Sequence, residues 1–295
     1  PRPKPRRGCE ISWKAARPKS RTNDPPRRLR RHPPERGRCQ WAGKAGPTAA
    51  ARCGEVSLFA GRAVRETFRP PFEVHETLRQ LFELGVRSVP LIAVAGLAVG
   101  VVLSMHTRAS LERFGAEALI PAGLALALVK ETGPLTAGLL LSGRIGAGVG
   151  AEHGAMKVSE QIDALEATAV DSFKYLVVTR MVACVIALPI LTTVMNVAGI
   201  LGGYLAEATI VQMPLRLYMN RAFSLIDFTD LVPATLKTAV FGFIIAITSS
   251  YLGMTTAQGT EGVGRASTRS VVFSSVLLIV ANVLLVRLIF LLFPE

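Results

Sequence analysis

The chain has 295 residues, of which 50% are hydrophobic and only 19% are charged, and its mean hydropathy is +0.38. This composition excludes a disordered chain and an ordinary soluble domain, and it indicates a membrane protein. The net charge of +13 does not indicate a nucleic-acid-binding face. Residues 1–50 hold 15 Lys/Arg and 3 Asp/Glu, whereas residues 51–295 hold 19 and 18.

The basic charge belongs to an N-terminal tail, which we assign to residues 1–55. Its first 50 residues contain 9 of the 18 prolines and little apolar periodicity, so we expect the tail to be disordered. Three interpretations stay open: a passive extension that is not native to the protein, a segment that binds anionic lipid surfaces, and a targeting sequence.

An amphipathic helix follows the tail, within residues 61–87. In Phe72–Val86, Leu78, Leu81 and Phe82 share one face and charged residues take the other. Because an apolar span follows at once, we expect this helix to lie in the membrane interface as an elbow helix.

Residues 88–293 contain five apolar stretches of about the length that crosses a bilayer. These spans are Ser88–Met105, about Pro121–Ser142, Met181–Ala206, Thr238–Thr260, and Ser270–Val286 with its continuation to Phe293. With the N-terminus inside, the inner loops 143–180 and 261–269 carry six Lys/Arg against four in the outer loops 107–120 and 207–230. The fold class is therefore an all-α membrane protein with a cytosolic N-terminus and an external C-terminus.

Three charged residues lie within the spans. Lys130 and Glu131 are about ten residues into the second span, or roughly 14 Å deep. Adjacent helical residues point about 100° apart, so each needs its own partner or water, and Pro134 should loosen the helix nearby. Lys237 lies near the outer end of the fourth span, roughly 9 Å in, and either snorkels outward or reaches an anionic head group. For Lys130 and Glu131, we favour a polar site in a transport path over a purely structural pair.

Two glycine-rich patterns bear on packing and on nucleotide binding. Gly96 and Gly100 form a GxxxG pair, which indicates either a tight helix seam or ordinary membrane composition. The stretch Gly143–Gly150 has the glycine density of a phosphate loop, but it lacks a preceding strand and GxxxxGK[ST]. These glycines should instead loosen the inner end of the second span, and any ATP must be bound by another subunit.

The loop Met156–Asp171 between the second and third spans predicts a short amphipathic helix. Ser159 is its expected N-cap, and Glu160, Asp163 and Glu166 form an acidic stripe. A helix of this kind suits docking to a cytosolic partner, although a solvated connector is the simpler interpretation. No nucleophile–base–acid set and no Cys/His metal spacing appears, so we expect neither enzymatic catalysis nor a metal site.

The segment Lys130–Arg180, KETGPLTAGLLLSGRIGAGVGAEHGAMKVSEQIDALEATAVDSFKYLVVTR, closely resembles the signature of the MlaE/YrbE family of permease subunits of MCE-type ABC phospholipid transporters. The resemblance runs from about Gly61 to Phe293. It implies an elbow helix plus five transmembrane helices that work as a homodimer. It also implies that lipid moves between the inner membrane and an MCE-domain lipid-binding protein, which maintains lipid asymmetry.

The resemblance further assigns residues and partners. Lys130, Glu131 and Lys237 match charged positions that line the lipid cavity. The coupling helix that docks on the ATPase would comprise Glu160, Gln161, Ile162, Asp163, Ala164, Leu165 and Glu166. The implied partners are two ABC ATPase subunits, the MCE protein and, in some systems, a STAS-domain subunit, with ATP bound by the partner. The implied location is the bacterial inner membrane, with a periplasmic C-terminus, or alternatively the plastid inner envelope.

The chain departs from the family at one charged position, and one alternative function competes with this assignment. Relatives often carry Arg where this chain has Lys130, so the charge is kept but a bidentate phosphate grip is lost. The main alternative function is a secondary transporter that uses Lys130 and Glu131 as an ion or proton site and needs no ATPase.

Overall fold

The computed structural model describes residues 49–70, 73–168, 171–226, 228–256 and 259–292, and within these ranges the chain is helical, without a strand. The α-helices are α1 (Ala49–Thr67), α2 (Val74–Val86), α3 (Val89–Leu111), α4 (Ile120–Ala127), α5 (Gly133–Leu141), α6 (Ala147–Val158), α7 (Gln161–Ala167), α8 (Thr179–Val211), α9 (Leu215–Ala222), α10 (Phe228–Met254) and α11 (Thr260–Leu292). Among the described residues there are also the π-helical turns Leu128–Thr132, Ser142–Gly146 and Lys174–Val178 and the 3₁₀ turns Glu112–Phe114 and Glu117–Leu119.

Five helical stretches in the described part of the chain are long and apolar enough to cross a membrane. They are Val74–Phe114, Glu117–Val158, Lys174–Val211, Leu231–Met254 and Thr260–Leu291. The prediction of an all-α membrane protein with five spans is therefore confirmed. Residues 1–48 of the predicted tail lie outside the described residues, and α1 begins at Ala49, within the last residues assigned to that tail.

The third span, α8, packs against α2, α3 and α10, and a glycine seam sets its distance from α3. A Cβ at Gly96 would lie 2.6 Å from the Met195 carbonyl oxygen, and one at Gly100 would collide with the carbonyl of Gly199. Glycine is therefore required at both positions for the two backbones to touch. The GxxxG pair forms a seam within this chain.

The second span continues further than the sequence predicted. Instead of ending near Ser142, the helix passes through the π-helical turn Ser142–Gly146 and runs on to Val158. Gly146 and Gly150 face α11: a Cβ at Gly146 would meet the Ser274 hydroxyl at 3.4 Å, and one at Gly150 would press on Ser270. These glycines thus allow close packing along a continuous helix, because their missing side chains leave room for α11.

Helix α2 turns a polar face toward the protein. Glu76 and Gln80 are buried, with the Gln80 amide donating to the Glu76 carboxylate at 2.8 Å, whereas Leu78 and Phe82 are exposed. The sequence placed the charged residues opposite the apolar ones but did not identify which face is covered. An exposed apolar face is what an interfacial helix presents to lipid. The elbow role stays a prediction, and Phe72 lies outside the described residues.

The loop helix between the second and third spans is shorter than predicted, and its start differs. α7 covers Gln161–Ala167, and its N-cap position is Glu160, whose φ of 57° places it in the left-handed region. The expectation that Ser159 caps α7 is wrong, because its hydroxyl donates back to the Ala155 carbonyl at 2.8 Å and so belongs to the end of α6.

We predict that Gly100→Ala lowers the apparent melting temperature of the detergent-purified protein. The added methyl group must displace the α8 backbone, and overpacking of this kind costs about 1–3 kcal/mol. The matched control is Gly123→Ala, where a Cβ meets nothing within 4 Å. Equal melting temperatures for the two variants would show that the α3–α8 contact is not as close as described.

Candidate functional site

An irregular turn within the second span leaves a backbone carbonyl available at the candidate site. Pro134 has no N–H group, so the carbonyl of Lys130, four residues earlier, loses its normal α-helical donor. The chain forms the π-helical turn Leu128–Thr132 here, and the N–H of Gly133 bonds to the carbonyl of Leu128. The prediction that Pro134 loosens this helix is confirmed, and the Lys130 carbonyl becomes available to another span.

Lys237 of α10 uses that carbonyl and an adjacent carboxylate. Its ammonium group lies 3.3 Å from the Lys130 carbonyl oxygen and 2.7 Å from Glu131 Oε2. The second oxygen of Glu131, Oε1, accepts a hydrogen bond from the side-chain amide of Asn282 in α11. Lys237, Glu131 and Asn282, which we call the polar cluster, therefore join the second, fourth and fifth spans.

Burial differs sharply within the polar cluster. The Lys237 side chain is 1% exposed, whereas that of Glu131 is 44% exposed. Lys237 thus does not snorkel outward but pairs with Glu131, and its contact with a lipid head group stays a prediction. The opposite charges stabilise each other where water is scarce, and the Glu131 carboxylate stays accessible from one side.

Two of the three predicted cavity residues are thus brought together. Glu131 has partners of its own, as its depth required, and Lys237 is one of them. Lys130 contributes its carbonyl to Lys237, and its side chain is half-buried beside Glu131 in the chain. The side-chain oxygen of Asn282, Oδ1, is buried and has no hydrogen-bond partner.

Asn282 is the residue of the polar cluster that sequence reasoning missed. It sits in an apolar run of α11 and carries no charge, so it resembles any tolerated polar residue in a span. Its signal was weak but present, because a side chain with two donors and two acceptor positions needs partners in an apolar medium.

A second buried ion pair lies at the far end of α8. Arg108 of α3 binds both carboxylate oxygens of Glu207, which also accepts from Ser104 at 3.0 Å. Nearby, burial and then the Glu207 carboxylate raise the pKa of Tyr218 in α9, so its phenol stays neutral. This pair fastens α3 to α8 and was not predicted from the sequence.

The predicted coupling residues form a separate surface beyond the inner part of the second span. Glu131 and Val158 are separated by about 40 Å of helix, so α7 does not belong to the polar cluster. Ile162 is buried and Leu165 is half-buried, whereas the other five residues, Glu160, Gln161, Asp163, Ala164 and Glu166, are exposed. The apolar side of α7 therefore faces the protein and its acidic side is open.

Two contacts hold α7 in place. Lys157 pairs with Asp163 at 3.3 Å, and the Ser172 hydroxyl donates to the Glu166 carboxylate at 2.7 Å. Among the described residues, no three His, Cys, Asp or Glu side chains come close enough together to hold a metal ion.

An apolar groove of about 480 Å³ runs along one face of α8. Its lining residues are Ile190, Thr193, Val194, Val197, Ala198 and Leu201. Another face of α8 at the same level touches the second span, where the Thr136 hydroxyl lies 3.4 Å from the Met195 sulfur. The groove and the polar cluster thus lie at a similar height in the bundle.

A five-span helical bundle with charges paired inside its spans is typical of a membrane transport protein. Comparison with known proteins identifies the particular family. The profile of the family described as Permease MlaE matches residues 77–288, so this chain belongs to the MlaE permease family.

Individual relatives agree with this membership. A probable ABC transporter permease protein of Rickettsia bellii is 37% identical over 248 residues, which cover 84% of this chain and 96% of the relative. The chloroplastic protein TRIGALACTOSYLDIACYLGLYCEROL 1 of Arabidopsis thaliana is 31% identical over 78% of this chain and 66% of its own length. The intermembrane phospholipid transport system permease protein MlaE of Haemophilus influenzae is 29% identical over 75% of this chain and 86% of its own length. The chain is therefore a multi-pass ABC transporter permease subunit, and not an enzyme.

We predict that Glu131→Gln destabilises the protein more than Glu131→Gln combined with Lys237→Met. Removing one partner of a buried ion pair costs about 3–5 kcal/mol, and the half-exposed carboxylate should reduce this toward about 1–3 kcal/mol. Removing both charges leaves no unpaired ammonium group. Melting temperatures in detergent measure the difference.

The control for this comparison is Glu261→Gln, which breaks an exposed pair with Arg265 on α11 and should shift stability by less than about 1 kcal/mol. If the effects of Glu131→Gln and Lys237→Met simply add in the double variant, the two side chains do not interact as described.

Proposed function

We propose that this permease subunit moves phospholipids between the inner membrane and an MCE-domain lipid-binding partner. The observation that carries the proposal is the polar cluster, because a charged pair deep in an apolar bundle marks a polar pathway more often than a structural brace. The name of the Haemophilus influenzae relative supports phospholipid as the substrate. Maintenance of membrane lipid asymmetry is the corresponding physiological role.

The proposed substrate has two parts, and the chain offers a surface for each. A phospholipid headgroup carries a phosphate, which Lys237 and Lys130 attract, and zwitterionic headgroups also carry an ammonium group suited to the accessible Glu131 carboxylate. The acyl chains need apolar walls, and the groove on α8 provides one. Lipid entry would exchange the internal Lys237–Glu131 pair for contacts with the headgroup.

The working unit is proposed to be a homodimer with two ABC ATPase subunits and, in some systems, a STAS-domain subunit. ATP would be bound by the ATPase subunits, since this chain has no phosphate loop. The proposed location is the bacterial inner membrane, with the N-terminus cytosolic and the C-terminus periplasmic. The plastid inner envelope is the alternative that the Arabidopsis relative supports.

Helix α7 is proposed to be the coupling helix that docks on the ATPase. Its open face carries Glu160 and Asp163, and the Asp163 side chain is 61% exposed. Exposed carboxylates can bind a basic groove on a partner protein. The buried Ile162 anchors α7 to the bundle. Closure of the ATPase subunits would thereby push on the inner ends of the second and third spans.

The whole proposal is tested by purification in mild detergent, with mass spectrometry of the subunits and lipids that co-purify. An ATPase subunit, an MCE protein and phospholipid are expected together with the chain. Reconstituted into vesicles, that complex should transfer phospholipid only when ATP is supplied. Transfer by the isolated chain, driven by an ion gradient, would instead establish a secondary transporter.

We predict that the double variant Glu160→Lys, Asp163→Lys abolishes the coupling of ATP hydrolysis to transport. Charge reversal sets like charges against the partner surface, which costs several kcal/mol and should reduce lipid transfer at least about tenfold. Lipid transfer and ATP hydrolysis are measured in the same vesicles. The control reverses Glu112 and Glu117, which are exposed on the loop between α3 and α4. Unchanged assembly and transfer in the α7 variant would contradict a docking role.

A further inference from the structure

A buried arginine joins the two helices that flank α7. Arg180, at the start of α8, is only 3% exposed. One end of its guanidinium fork binds the Glu152 carboxylate, and the other binds Nε2 of His153. Both partners belong to α6, so this contact, which we call the arginine clasp, ties the end of the second span to the beginning of the third.

The donor and acceptor roles in the arginine clasp follow from its side chains. Arginine has only donors, so His153 Nε2 must be the acceptor and the proton of the neutral ring lies on Nδ1. His153 is fully buried, whereas the Glu152 side chain is 56% exposed. The clasp therefore has a buried half at His153 and a half at Glu152 that reaches the surface.

The arginine clasp lies beside an irregular turn. Lys174–Val178 is π-helical, and Arg180 follows it by two residues. π-helical turns are uncommon and interrupt the regular hydrogen-bond ladder, so they are points where a helix can change its register. Just before that turn, Ser172 binds Glu166 of α7 at 2.7 Å. The segment 172–180 is thus fastened to α7 before the turn and to α6 after it.

The same segment is also fastened to the N-terminal helices. Lys174 donates to the carbonyl of Arg69, and Arg62 of α1 stacks 4.3 Å above the Phe173 ring. Residues 172–180 therefore receive contacts from α1, α6 and α7.

We propose that Arg180 is a positioning residue for transport: the arginine clasp holds together the second and third spans, which flank α7, so that a displacement of α7 moves both spans and ATP hydrolysis in the partner drives lipid movement. The inference rests on the proposed function and adds to it a specific mechanical residue. The fork of Arg180 matters because a lysine at this position has a single ammonium group and cannot hold Glu152 and His153 in the same planar arrangement.

The test compares wild type with Arg180→Gln, Arg180→Lys and Glu152→Gln in the reconstituted complex. ATP hydrolysis and transfer of a fluorescent phospholipid are measured in the same vesicles, and their ratio gives the ATP consumed per lipid moved. That ratio should rise at least about fivefold in the Arg180 variants, which is the lower end of typical coupling between sites. A purely structural residue would reduce assembled complex and both rates together and leave the ratio unchanged.

Two further comparisons keep the outcome decisive. Glu152→Gln alters the half-exposed end of the clasp, so it reports on coupling even if Arg180→Gln fails to assemble, and it should raise the ratio as well. Arg265→Gln, which removes one half of an exposed pair on α11, should leave the ratio at the wild-type value.

The outcomes separate this inference from the function on which it rests. Wild-type transfer with an unchanged ratio in Arg180→Lys and Glu152→Gln would overturn the role of the clasp and leave the proposed function intact. A wild-type complex that hydrolyses ATP without moving phospholipid would overturn both.

Discussion

The structure depends on the need to pair charges inside an apolar bundle. An unpaired charge in a bilayer costs several kcal/mol, so a buried charge needs a partner. Within the described part of the chain, three ion pairs meet this need between different spans: Lys237–Glu131, Arg108–Glu207 and Arg180–Glu152. Together these pairs connect the first four spans. The hydrogen bond from Asn282 to Glu131 connects the fifth span to the second. Charge pairing thus fixes which helices are neighbours, in addition to their apolar packing.

The bundle combines a tightly packed part with irregular turns. At Gly96 and Gly100 the backbones of α3 and α8 touch, so this pair leaves little room for relative motion. The π-helical turns Leu128–Thr132 and Lys174–Val178 lie at the polar cluster and beside the arginine clasp. Both proposed working parts of the permease therefore sit where the helical ladder is already interrupted.

The sequence predicted the five spans because apolar runs of about 20 residues have few other uses. It also placed Lys130, Glu131 and Lys237 within the spans and predicted the effect of Pro134, which depends on local chemistry. It could not predict that Lys237 meets Glu131, because these residues are 106 positions apart and only tertiary packing joins them. Asn282 was missed for the same reason. Ser159 was misassigned as a cap because its hydroxyl can bond backward as well as forward.

The central claim is that the polar cluster holds the headgroup of the transported phospholipid. Photo-crosslinking tests it most directly, with a photoreactive amino acid at Thr132, beside Glu131, and at Val283, whose side chain is exposed on α11. In the reconstituted complex, lipid capture at position 132 should change when ATP is added, whereas capture at position 283 should report only bulk lipid and stay constant. Capture that is the same at position 132 with and without ATP would contradict the claim.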